Sequence, residues 1–196
     1  MKMRKKVLAG LVCALTLCLS FVLVGCTGNK QEESVVSIEN AWNSSNGMTV
    51  YYPSSWTQED VSLLKDESYM HPDFDGLLYI TSKNLGLNYS AEASPENLKN
   101  SAEEYCSGME NSTDGNYKWN VERSYKITDK GNVVSLVTPF SGATNGKTYK
   151  GFFYMAISSN HKVHIAMMAC NVNVYGENES LMKEVVENIE IDAAKA

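Results

Sequence analysis

The chain has 196 residues, 43% of them hydrophobic, with 17 basic against 23 acidic side chains and a net charge of −6 at pH 7. That length is enough for one domain with its own core. The acidic balance argues against nucleic acid as a partner and against direct attraction to anionic lipid headgroups.

Lys2, Arg4, Lys5 and Lys6 form a positive start, and an almost unbroken apolar run follows from Val7 to Val24. A basic n-region, an apolar h-region and a small residue before a cleavage point are the parts of a secretory signal. The apolar run is also close to the ~18 residues that could span a bilayer, so an uncleaved anchor is the alternative. The stretch Leu23-Val24-Gly25-Cys26 decides between them. It resembles the bacterial lipobox, in which the Cys receives a diacylglyceryl group on sulfur and becomes the first mature residue. The resemblance implies a signal peptide over residues 1–25, lipidation of Cys26 and extracytoplasmic anchorage to the bacterial cell membrane. Two acyl chains give stable anchoring, because each buried methylene contributes about 0.8 kcal/mol and one chain alone is marginal. Removal of the leader leaves thirteen basic residues against the same 23 acidic ones, so the mature chain is more acidic still.

Residues 26–40 read as the lipidated Cys and a flexible polar tether, with a single domain over 41–196. Val35, Val36 and Ile38 either begin a first strand or pack at the domain edge. Asn46-Gly47 signals a turn before the β-rich run Met48 to Tyr52, which Pro53 closes. Trp56 is expected to cover one end of the core. Thr57 to Ser68 is ambiguous, with a short helical turn over Val61 and Leu64 as one reading. Leu77 to Ser82 reads as a strand.

Ser94 as N-cap, Pro95 at the first helical position and Glu96 near the positive end of the dipole predict a helix over Pro95–Met109. Leu98, Ala102, Tyr105, Cys106 and Met109 make its apolar face. Four strands are expected next: Tyr117–Ile127, Val133–Phe140, Thr148–Ser158 and Lys162–Val172. In the last two, apolar residues fall on both alternating faces, which implies a sheet covered on both sides. A terminal helix is expected over Glu177–Ile189, with Leu181, Val185, Val186 and Ile189 inward. The order predicts an α/β (α+β) domain in which helices sandwich an antiparallel sheet.

Three stretches carry a resemblance to the PsbP-like fold: the opening Met48-Thr49-Val50-Tyr51-Tyr52-Pro53-Ser54-Ser55-Trp56, the mid-chain helix start at Ser94-Pro95, and the hairpin from Tyr149 to Cys170 leading to Asn188-Ile189-Glu190-Ile191. The resemblance implies non-enzymatic roles, namely docking to partners or assisting assembly of larger complexes, and transfers no site motif to particular residues.

The residues themselves offer few chemical candidates. Cys106 and Cys170 are the two mature cysteines besides Cys26. Export permits a disulfide between them, and two buried free thiols are the alternative. His71, Asp73, Asp75 and Gly76 start like a calcium loop, but Ser82 stands where a bidentate Glu is needed, so a solvated turn is expected. His161 and His164 are three apart at a hairpin, which sends them to opposite faces of a strand and argues against a metal site. No nucleophile elbow, phosphate loop or dinucleotide fingerprint is present. Tyr149, Phe152 and Tyr154 in the aromatic second hairpin are either core or a partner surface. The sequence therefore points to a lipid-anchored binding or assembly module with an envelope protein as partner and with no cofactor, metal or catalytic site. A small-ligand-binding lipoprotein with a pocket between helix and sheet is the alternative, ahead of an envelope hydrolase.

Overall fold

The computed structural model describes residues 38–60, 66–84, 92–111 and 117–195. The leader, Cys26, the tether up to residue 37, and Val61 and Leu64 lie outside the described residues. The strands are β1 (Ile38–Asn43), β2 (Met48–Pro53), β3 (Thr57–Asp60), β4 (Glu67–His71), β5 (Gly76–Asn84), β6 (Tyr117–Val121), β7 (Lys126–Asp129), β8 (Val133–Thr144), β9 (Lys147–Ser158), β10 (Lys162–Asn171) and β11 (Glu190–Ile191). The helices are α1 (Pro95–Glu110) and α2 (Val172–Glu187). Among the described residues, one sheet runs β3-β4-β5-β10-β9-β8-β6, with β7 also on β8, and a smaller sheet runs β1-β2-β11. β1 begins at Ile38, three residues before the boundary expected for the domain.

Alternation along the central strands builds the layers. Phe152, Tyr154 and Ala156 on β9, with Ala166, Met168 and Cys170 on β10, point to one face. There they pack with Met182, Val185 and Val186 of α2 and with Trp42, Met48 and Val50 of the small sheet. Phe153, Met155 and Ile157, with Val163 and Ile165, point to the other face against Leu98, Ala102 and Cys106 of α1. An antiparallel sheet with a helix on each face is thus the observed architecture, as the two-sided apolar pattern predicts. Trp56 is buried in the α2-side core, stacked on Tyr52 and edge-on to Phe74.

Local chemistry explains the boundaries. The Ser94 side chain accepts from the Asn97 N–H at 3.2 Å, which caps α1. Asn145 and Gly146 both have positive φ, the conformation a two-residue turn needs between paired Thr144 and Lys147. The strand expected over Tyr117–Ile127 is in fact two. Pro139 of β8 faces the break, and its carbonyl accepts from the Glu122 N–H at 3.0 Å. Having no N–H of its own, Pro139 cannot continue the ladder, and the partner chain leaves the sheet between β6 and β7. Arg123 in that break donates to Glu110 at 2.7 Å and to Glu103 at 2.8 Å, tying the crossing to α1.

At the ends of Thr57–Ser68, β3 and β4 pair antiparallel, while the helical turn read over Val61 and Leu64 lies outside the described residues. One further expectation changes. α2 starts at Val172, five residues early, where the Asn171 side chain accepts from the Asn173 N–H at 3.0 Å. Val174 and Tyr175 pack on the core, and that tertiary burial outweighs the β preference of the local sequence.

Candidate functional site

Cys106 and Cys170 are free and buried. Cys106 lies in the α1-side core and Cys170 in the α2-side core, so the sheet stands between them. The disulfide considered for this pair is not formed. Burial pushes each thiol up to about 11, so both stay protonated at neutral pH and pack as small hydrophobes.

The aromatic hairpin is core rather than surface. Phe152 and Tyr154 are 5% and 3% exposed beneath α2, and Tyr149 is half-buried. Packing of α2 across the sheet buries Phe152 and most of Tyr154, while Tyr149 keeps part of its surface. His71 lies beside Glu59 at 3.1 Å and Asp75 faces Lys147 at 3.7 Å, so the calcium-like turn is engaged by separate side-chain partners.

One end of the molecule gathers four chain segments. The β1–β2 turn (residues 44–47), the β7–β8 turn, the β9–β10 turn and the C-terminal residues 192–195 meet there. The Asp192 N–H donates to the Gly47 carbonyl at 2.8 Å, and the Asn160 side chain donates to the Ala193 carbonyl at 2.8 Å. Two half-open clefts flank β11 as a result. The first, about 410 Å³, is walled by Asn43, Ser44 and Thr49 with Lys130, Glu190 and Lys195. The second, about 360 Å³, has Val133, Ile189 and Ile191 as apolar walls, with Asn132, Ser135 and Tyr154 as polar ones. Lys130, Ile191 and Asp192 line both. The clefts therefore form one polar-rimmed surface around the short C-terminal strand.

Behind the β1–β2 turn sits a polar cluster, buried at Ser82 and His164 and exposed at Ser45. Ser82 and His164, directly paired across β5 and β10, are 1% and 0% exposed, and their Oγ and Nδ1 are 2.8 Å apart. The Ser82 backbone N–H donates to the Asp66 carbonyl at 2.8 Å, and its own carbonyl accepts from the Asn46 side chain at 3.0 Å. Lys162 donates to Asn46 at 2.8 Å, while the Asp66 carboxylate accepts from the Ser45 N–H at 2.7 Å and from its hydroxyl. His164 Nε2 has no partner among the described residues. Burial, with Lys162 adding and Asp66 opposing, lowers the His164 pKa to about 4. His164 is consequently neutral at pH 7.

Sequence reading placed His161 and His164 apart but missed this cluster. The available signal was phase: His164 shares its face with Ala166, Met168 and Cys170, so a core position was legible. Among the described residues no group of three or more His, Cys, Asp and Glu could hold a metal ion.

The fold is similar to the solution structure of cyanobacterial PsbP (CyanoP) from Synechocystis sp. PCC 6803, with TM-score 0.59 and 11% identity over 86% of this chain and 100% of that one. This likeness shows a PsbP-like fold, and at that identity it shows the fold alone. A crystal structure from Bacteroides thetaiotaomicron VPI-5482 aligns at TM-score 0.48 and 12% identity, over 80% of this chain and 49% of that one, which is too loose to build on. No family model matches the chain, and no curated protein matches it in sequence.

Proposed function

We propose that the protein is a lipid-anchored extracytoplasmic module that binds or helps assemble an envelope protein, docking it at the paired clefts around β11. The observation that carries this reading is the convergence of four separate segments on one half-open, polar-rimmed surface. A surface with apolar walls and a rim of backbone and side-chain polar groups suits an extended protein segment better than an enclosed small molecule. The PsbP-like fold supports a docking role by analogy of architecture. The lipobox-like stretch Leu23–Cys26 supports placement on the extracytoplasmic face of the cell membrane, with the lipid rather than the peptide as anchor.

The Ser82–His164 contact does not favour a hydrolase. Both side chains are sealed from solvent, so no substrate carbonyl reaches the hydroxyl. The test is chemical cross-linking in intact cells with the anchored protein as bait and Cys26→Ala as control. One partner, recovered reproducibly and lost in the control, is the expected result. Recovery of only abundant envelope proteins, equally from both versions, overturns the reading.

A further inference from the structure

The β1–β2 turn has few means of attachment. Its Ser45 is held by the Asp66 carboxylate, its Asn46 bridges Lys162 and the Ser82 carbonyl, and its Gly47 carbonyl accepts from Asp192. Residues 66, 82 and 162 lie around one imidazole, that of His164, and the turn they hold is a wall of the first cleft.

We propose that His164 is the proton-sensitive catch of this wall: its protonation releases residues 44–47 from the sheet and changes the shape of the cleft. An imidazolium has two N–H donors. Nδ1 can donate to Ser82, but Nε2 would carry its proton into a buried place that offers no acceptor among the described residues. The charged groups that reach the ring are Lys162, on its own strand, and Asp66, before β4. β5 and β9 set Ser82 and Ala156 directly beside it, and the turn brings Ser44, Ser45, Asn46 and Gly47, none of them titratable. Lys162 repels the new charge, while Asp66 is already engaged by Ser45. The response with the smallest structural cost is local: the turn lifts, water reaches the ring, and the central ladders of β8, β9 and β10 remain.

The inference rests on the cleft reading only for its consequence. Whether the turn opens is a separate measurement from partner capture, so the two fail independently. Hydrogen exchange of the full chain in detergent micelles reads it directly, through the amides of Ser45 and Asp192. After correction for the intrinsic pH dependence of exchange, opening at these amides is expected to rise about twenty-fold between pH 7 and pH 5. Amides of the β8–β9 ladder should change far less, and His164→Gln should abolish the rise. An unchanged turn, an equal rise across the whole sheet, or the same rise in His164→Gln overturns the proposal. If that variant does not fold, an imidazole NMR titration of the wild-type chain decides: His164 must stay neutral well below pH 6 while the turn amides begin to open. A His164 that titrates near 6.5 with the turn still protected overturns it equally.

Discussion

The two faces of the central sheet are made by the same strands and do different work. The α1 face is apolar from Leu98 to Phe140, and its rim is closed by the Arg123 clamp to Glu103 and Glu110. The α2 face has an equally apolar middle but ends in Ser82, His164 and the turn they support. Along β10 the change takes four residues, from Met168 to His164. The contrast teaches that one face supplies stability alone, whereas the other gives up apolar packing at its end to position the loops that build the clefts.

The contrast can be broken most strongly at its centre. Phe153 is fully buried on the α1 face and stacks on Tyr105 at 5.5 Å. Phe153→Ala should cost about 3–5 kcal/mol by denaturant unfolding, with no new dependence on pH. A pH-dependent loss would contradict the assignment of that face to packing.

The second effect belongs to the other face. The folded-state pKa of His164, about 4, lies below its ordinary 6.5. The unfolded chain therefore binds more protons in that interval. Stability from this group is complete above about pH 6.5 and is lost as pH falls towards 4. The expected loss is about 3 kcal/mol, and His164→Gln should flatten the profile. This total includes any turn opening that precedes global unfolding.

Arg123→Ala sharpens the comparison at the rim of the α1 face. The clamp is partly solvated, so the loss should be about 1 kcal/mol despite its short bonds. Hydrogen bonding to Arg123 holds the Glu110 carboxyl below its usual range. Its contribution is present above the ordinary carboxylate pKa and fades as pH falls through the lowered value. Thermal melts at pH 7 and pH 3 should therefore differ less in Arg123→Ala than in the parent.

Gly176 lies inside α2, and an added Cβ would meet nothing within 4 Å. Gly176→Ala should gain about 0.5–1 kcal/mol, read as a small rise in melting temperature. A loss there would mean that the start of α2 needs the glycine for something the packing does not explain.

Much of this architecture was legible in the chain itself. The alternation in Phe152–Ile157 requires two covered faces, and Ser94-Pro95 marks the start of α1. The division of β6 from β7 was not, because it depends on Pro139 standing opposite the break in another strand. Nor was the polar cluster. Asn46 and Lys162 meet across 116 residues of sequence, and Ser82 and His164 across 82, so no local spacing announces them. Tyr154 shows the converse limit: an aromatic in an alternating strand fits a core and a binding surface equally until α2 is seen to cover it.

The most direct test of the cleft as the docking site places a photo-activatable cross-linker in the full-length chain in living cells. One version carries it at Lys130, which lines both clefts, and another at Lys99, exposed on α1. A single envelope protein captured from Lys130 and not from Lys99 is the predicted result. Capture of the same proteins from both positions, or from Lys99 alone, would contradict it.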